Sequence, residues 1–180
     1  IIGIPHGFFD FSIGKILFKK YLRLWLLYFV ITYMLIFIIY FISWLFLPGL
    51  SLLIFLFLAA YHFGFEDYNY LRNKNEKYFN ISILIKGLIV VFTPILFHFD
   101  DINYLFQLLI GYKLEGIEFT VFQKLLFAAL SIFHILFEKE KNFLHKFEGI
   151  IAFANFVFLP PLLSFILYFC FMHSIRHFIE

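Results

Sequence analysis

Histidines with a second chemical group one helical turn away are the residues of this chain best suited to chemistry. The chain has seven histidines, and residues four apart lie on one face of a helix. Imidazole is a good ligand for iron, copper and zinc, and a carboxylate that accepts the second ring N–H fixes the direction of the ring. The spacing therefore indicates a metal site with acidic supporting groups. The three pairs at this spacing are His6 with Asp10, His62 with Glu66, and His173 with His177.

Each of these residues also has a simpler role open to it. A single histidine in a membrane helix more often hydrogen-bonds a neighbouring helix than binds a metal. Asp10, Glu66 and Asp67 can equally cap helices or lie among lipid headgroups. Arg176 can extend to the membrane surface or bind a buried carboxylate.

The remaining polar residues in apolar surroundings are expected to play structural parts. His98 lies at the end of an apolar run, where an interfacial role is expected. His134 lies within a run, and packing is expected there, with a fifth polar group at the site as the alternative. His145 lies among lysines and glutamates and is expected in a solvated loop. Cys170 is expected to be a small packing residue.

The composition shows which solvent surrounds these residues. Of 180 residues, 63% are hydrophobic and 14% are charged, and the mean hydropathy is +0.93, whereas ordinary soluble domains are about half apolar and a quarter charged. This excludes a soluble fold, a disordered segment and a nucleic-acid binder. The net charge of +2 indicates no acidic partner. The single cysteine excludes a disulfide scaffold and a cysteine-ligated zinc site.

The apolar runs predict an all-α, multi-pass transmembrane bundle that forms one integral-membrane domain over residues 1–180. A spanning helix needs about 20 apolar residues, so 102–110 is too short and is expected at the interface. Residues 138–148 are expected to be a charged loop, and Pro160-Pro161 should break the last run at Leu159. The chain is expected to lack material at both ends. About five spans are predicted, at 24–47, 50–70, 81–99, 119–137 and 149–170 or beyond.

These spans can bring the histidines to one depth. Lysine and arginine concentrate before the first span and after the second and fourth, so that side is predicted to be cytoplasmic. With a helical rise of about 1.5 Å per residue, His6 and His62 lie roughly 20 and 15 Å from the basic side. His173 and His177 lie about 20 to 25 Å along a helix that begins at Pro160. All four can meet near mid-bilayer, provided that the proline break occurs.

Four motifs resemble those of the Brp/Blh family, which are bacterial and archaeal integral-membrane β-carotene 15,15′-dioxygenases associated with the supply of retinal to rhodopsins. They occur in the family's order and cover nearly the whole chain. Phe8, Phe9 and Met172 depart from the residues usual in the family, which leaves the substrate preference open. The motifs are Gly3-Ile4-Pro5-His6-Gly7 with Asp10, His62-Phe63-Gly64 with Glu66 and Asp67, Lys86-Gly87 leading to Pro94 and Phe97-His98, and Pro160-Pro161-Leu162-Leu163-Ser164-Phe165 continuing through Tyr168-Phe169 to His173-Ser174 and Arg176-His177.

The resemblance implies one non-haem Fe(II), and no catalytic residue beyond its ligands. It also implies a lipid-soluble carotenoid and O2 as substrates, retinal as product, a functional link to a rhodopsin, and a place in the prokaryotic cell (inner) membrane surrounded by lipid. Nucleic acid is not expected as a partner. Position by position, the implied iron ligands are His6, His62, His173 and His177, and the implied supporting residues are Asp10, Glu66, Asp67 and Arg176.

Other functional classes account for the pattern less well. A histidine-containing transporter or ion-binding protein would place carboxylates along a pathway, whereas here they lie four residues from histidines. A membrane di-iron desaturase or hydroxylase needs about eight clustered histidines, and only one pair here has the His-x-x-x-His spacing. A purely structural membrane protein would leave four buried imidazoles without a task.

Overall fold

The computed structural model describes residues 14–16, 18, 24–69, 79–137 and 143–173, with only the backbone described for 66–69, 79–80 and 143–145. Within these ranges, all regular structure is helical, which confirms the predicted all-α class. The helices are α1 (Trp25–Phe46), α2 (Pro48–Asn69), α3 (Phe79–Phe97), α4 (Phe99–Ile110), α5 (Val121–Phe137), α6 (Phe143–Phe158), α7 (Pro161–Leu167) and a π-helix (Tyr168–His173).

Helices α1 and α2 agree with the first two predicted spans to within one or two residues. Leu47 alone separates them, and Pro48 begins α2, where a proline is tolerated because the first turn has no helical acceptor for its missing N–H. The Tyr40 hydroxyl donates to the Ser51 carbonyl at 2.8 Å, and the hydroxyls of Ser43 and Ser51 are 2.9 Å apart. These contacts join the end of α1 to the start of α2.

Two of the described helices are long and apolar enough to cross a membrane, namely α1 and the Pro48–Phe65 part of α2. Helices α3 and α4 meet at His98 with a bend of 103°, and they make a third candidate if the bent pair is one span. The structure thus supports a helical membrane bundle, and the count of about five spans stays a prediction. The short α4 agrees with the expectation that 102–110 does not span alone.

The predicted charged loop at 138–148 is wrong in its second half. Helix α6 begins at Phe143, so the backbone of His145 is helical. Lys146 follows within the same helix, and its ammonium donates to the Leu136 carbonyl at 2.6 Å. This bond satisfies a carbonyl in the last turn of α5, where a helix lacks its own donors. The charge-rich sequence from Phe143 onward is thus helical, and one of its lysines caps the preceding helix.

The predicted proline break is confirmed. Helix α6 ends at Phe158, Pro160 is extended with φ −54° and ψ 144°, and α7 begins at Pro161. The Asn155 side-chain amide donates to the Ser164 carbonyl at 2.8 Å, and the Ser164 hydroxyl donates to the Pro161 carbonyl at 2.9 Å. The break is therefore held by side-chain hydrogen bonds, which matters because lipid offers no donors to a broken helix.

Helices α2 and α3 pack backbone to backbone. A Cβ added at Gly64 would overlap the Ile83 carbonyl, and one added at Gly87 would overlap the Ala60 carbonyl. Small residues let membrane helices approach this closely. The core beside this contact draws on α2, α3, α4, α6 and the π-helix; its buried residues are Ala60, Phe63, Val90, Val91, Ile95, Ile102, Phe156 and Tyr168.

Candidate metal and substrate site

The imidazoles of His62 and His173 lie against one another. Their ring centroids are 5.4 Å apart and the ring planes are inclined by 70°. His62 projects from α2 and is exposed at the surface of the described chain, whereas His173 ends the π-helix and is 1% exposed. Residues 111 positions apart in the sequence thus bring two imidazoles together at the contact between α2 and the π-helix.

The separation of the two rings suits a shared metal ion. Two imidazoles bound to one ion through N–metal bonds of about 2.1 Å have ring centroids roughly 4.5 to 5.5 Å apart for bond angles near 90 to 115°. The observed 5.4 Å lies within this range. Imidazole donors suit iron as well as zinc and copper. Among the residues whose side chains are described, no group of three or more potential ligands is formed, so this pair is the part of the predicted donor set that the structure brings together.

The other predicted site residues lie at or beyond the limits of the described chain. His6, Asp10, Arg176 and His177 fall outside it. Glu66 and Asp67 belong to α2, whose helical backbone extends to Asn69, and their side chains are outside the description. The helical spacing between His62 and Glu66 is therefore confirmed. The ligand role of all four histidines and the supporting role of the four other residues stay predictions.

Aromatic rings enclose the His173 imidazole. The Phe63 ring meets it edge to face at 5.0 Å and 80°, and the Tyr168 and Phe169 rings lie nearly parallel to it at 6.1 and 5.7 Å. Aromatic pairs at these separations have preferred orientations. The ring direction of His173 is thus set from several sides by neighbours that belong to the motifs but to which the sequence assigned no role. The signal for Phe63 was its place between His62 and Gly64 in the second motif.

A π-helix carries His173 into this contact. The sequence predicted that the helix after Pro160 continues as an ordinary helix, but Tyr168–His173 has the wider π-helical turn. Such segments are rare and occur often at functional sites. The side chains of Tyr168 and His173, at the two ends of the segment, are both buried. No spacing rule applied to the sequence detects this change.

His98 and His134 lie elsewhere in the fold. His98 stands at the bend between α3 and α4, where its Nε2 is 3.0 Å from the Val157 carbonyl. His134 is half-buried in α5, next in sequence to Ile135, which packs with Ile89 and Phe153. The bond of His98 ties two helices together, and its expected place at the membrane interface stays a prediction. The position of His134 agrees with the packing role.

The comparisons with known proteins agree with the four motifs. The family model described as "Beta-carotene 15,15'-dioxygenase" matches residues 1–180. A protein of an uncultured marine bacterium, 66A03, that is named beta-carotene 15,15'-dioxygenase is 32% identical over 184 residues. The alignment covers 98% of this chain and 64% of the relative, so the chain spans a little under two thirds of that protein's length. No solved structure matches the chain.

Proposed function

The chain belongs to the beta-carotene 15,15'-dioxygenase family, and on that premise we propose that the full-length protein cleaves β-carotene or a related carotenoid at the central 15,15′ double bond. O2 is the co-substrate and two molecules of retinal are the product. The observation that carries this proposal is the contact between His62 and His173. Both residues occupy histidine positions of the motifs that resemble the family.

Fe(II) is the proposed cofactor, held by His6, His62, His173 and His177. The separation of the two described imidazoles supports a shared ion, and neutral imidazoles suit iron. Bound iron would supply the activation of O2. No acid or base among the described residues is assigned a part in the reaction. The rate enhancement is therefore ascribed to positioning of the ion and the substrate.

The described residues around His173 hold the ligand and exclude water. Phe63, Tyr168 and Phe169 surround the imidazole with rings, which leaves little freedom for the ring to turn. The burial of His173 keeps water from this side of the site. A polyene substrate taken from lipid would be held by close packing against such rings, because the hydrophobic effect gives no gain within a membrane.

The membrane is the proposed source of the substrate. A carotenoid dissolves in lipid, and α1 has no buried residue among its 22, so its apolar side chains face whatever surrounds the protein. His62 is exposed on the neighbouring α2, which gives a lipid-soluble molecule a lateral approach to the imidazole pair. We place the site at mid-bilayer in the prokaryotic cell (inner) membrane, with the retinal passing to a rhodopsin.

Expression of the full-length protein in bacteria that accumulate β-carotene tests the proposal. Loss of the orange colour together with the appearance of retinal supports central cleavage. A His62→Ala variant of equal abundance should leave the carotenoid intact, because one of the paired imidazoles is missing. Complete retention of β-carotene by folded, iron-loaded wild-type protein would contradict the proposed activity.

A further inference from the structure

Two helix breaks of this fold meet at one hydrogen bond. The first break is the 103° bend between α3 and α4, which has His98 at its corner. The second is the Pro160-Pro161 break between α6 and α7. His98 Nε2 is 3.0 Å from the carbonyl oxygen of Val157, in the last turn of α6. A carbonyl can only accept, so Nε2 carries the hydrogen.

The Val157 carbonyl needs a donor from outside its own helix. In an α-helix a carbonyl accepts from the N–H four residues later, and for Val157 that residue is Pro161, which has no N–H. The preceding turn is ordinary, since the Leu159 N–H donates to the Asn155 carbonyl at 3.1 Å. Inside a membrane no water replaces the missing donor. The His98 imidazole therefore supplies the bond that the proline withholds.

The end of α6 is connected to the candidate metal site by buried rings. Phe156 precedes Val157 in the chain, and its ring lies 5.4 Å from that of Tyr168. The Tyr168 ring in turn lies nearly parallel to the His173 imidazole, at 6.1 Å and 26°. Phe156, Tyr168 and His173 are each 1% exposed, and close-packed interiors transmit small displacements. A shift of the last turn of α6 must therefore displace the ring on which His173 packs.

We propose that His98 is a positioning residue for His173. Its hydrogen bond to Val157 holds the end of α6 in place. The Phe156 ring there packs on Tyr168, and Tyr168 packs on the His173 imidazole, so the position of α6 determines the position of that imidazole. His98 itself binds neither metal nor substrate in this role. The proposal rests on the proposed function only where iron and carotenoid are used to detect the effect.

Cys170 provides a test that needs neither iron nor substrate. It is the single cysteine of the printed sequence and lies half-buried in the π-helix, three residues before His173. The rate at which a lipophilic maleimide labels Cys170 in the iron-free full-length protein, mapped by mass spectrometry, reports how firmly the π-helix is held. His98→Leu removes the donor and should raise this rate about tenfold, the effect expected when a buried acceptor loses its partner.

A conservative variant separates positioning from simple packing. His98→Gln keeps an N–H donor of similar reach, so it should restore the labelling rate to within about twofold of the wild type. In iron-loaded protein, the nitrosyl EPR spectrum should be altered in the leucine variant and restored in the glutamine variant. If His98→Leu does not fold, the labelling rates of His98→Gln and His98→Asn are compared instead. The shorter asparagine should then label faster, and equal rates for the two would overturn the proposal.

His134→Leu is the matched control, since it removes another half-buried imidazole, one that lies on α5 and not at the contact of His98 with Val157. Its Cys170 labelling rate should stay at the wild-type value. Wild-type labelling and EPR in His98→Leu, or an equal effect of His134→Leu, would overturn the positioning role. If the wild-type protein does not cleave β-carotene but His98→Leu still raises the labelling rate of Cys170, the proposed function is wrong and the role of His98 stands.

Discussion

At the scale of single residues, the candidate site is a pair of imidazoles in an aromatic enclosure. The sequence singled out His62 and His173 through neighbours four residues away, and the structure places their rings 5.4 Å apart. It did not single out Phe63, whose ring contacts His173, Tyr168 and Phe165. In a chain with 31 phenylalanines, residue type alone does not distinguish the few rings that contact His173.

Replacing either paired histidine by alanine should remove the iron. Iron per polypeptide, measured by plasma mass spectrometry on purified full-length protein, should fall to background in His62→Ala and in His173→Ala. A His62→Ala/His173→Ala double variant should lose no more than either single variant, because residues that act on one ion are not additive. His145→Ala, in the first turn of α6 and outside the four motifs, should keep its iron. Retention of iron by either single variant would remove that residue from the ligand set.

Phe63→Leu should weaken iron binding although it leaves all histidines in place. The ring that meets His173 edge to face is lost, and changes that free a metal ligand to turn typically lower affinity by about 10- to 100-fold. Phe57→Leu is the matched control, because Phe57 is on the same helix and 60% exposed. Iron titration of both variants decides the matter, and equal affinities would show that the ring is ordinary packing.

At the scale of helices, the close approach of α2 to α3 fixes the place of His62. Gly64 and Gly87 belong to two different motifs of the sequence, and the structure explains both by the same backbone contact. The Pro160-Pro161 break likewise fixes the place of His173, since α6 ends before it and the segment that leads to the π-helix begins after it. Motif residues without reactive groups thus position those that have them.

Gly64→Ala and Gly87→Ala should destabilise the bundle. In each case the new Cβ would overlap a backbone carbonyl of the partner helix, and overpacking of this kind costs roughly 1–3 kcal/mol or more. Gly149→Ala should cost less, since its nearest neighbour is the movable Ile135 side chain at 3.1 Å. Thermal unfolding in detergent ranks the stabilities of the three variants. An unchanged melting temperature in both Gly64→Ala and Gly87→Ala would contradict the close contact between α2 and α3.

Replacing both prolines should join α6 and α7 and displace His173. A Pro160→Ala/Pro161→Ala variant regains two backbone donors and can continue the helix. We expect iron content to fall while helical content by circular dichroism holds or rises. Pro161→Ala alone keeps the extended Pro160 and should retain the iron. Full iron occupancy in the double variant would show that the break is unnecessary for the site.

At the scale of the whole molecule, composition and run length predicted the membrane class and the ends of several helices. The break at Leu159 was predicted because proline chemistry acts locally, whereas Pro48 and Gly49, predicted to lie between two spans, are the first residues of α2. The π-helix and the helical start at Phe143 were missed, since charged residues do not exclude a helix and a short apolar run does not distinguish π-helical from α-helical turns. The meeting of His62 with His173 was expected from depth alone, but helical rise says nothing about rotation, so their aromatic neighbours could not be foreseen.

The most direct test is the ratio of retinal formed to β-carotene consumed by purified, iron-loaded full-length protein in detergent micelles, followed by liquid chromatography under air. Central cleavage of the symmetric polyene predicts two molecules of retinal for each β-carotene lost, no turnover without O2, and no turnover in His173→Ala. Consumption of β-carotene that yields other apocarotenals, or undiminished retinal formation by His173→Ala, would contradict the account.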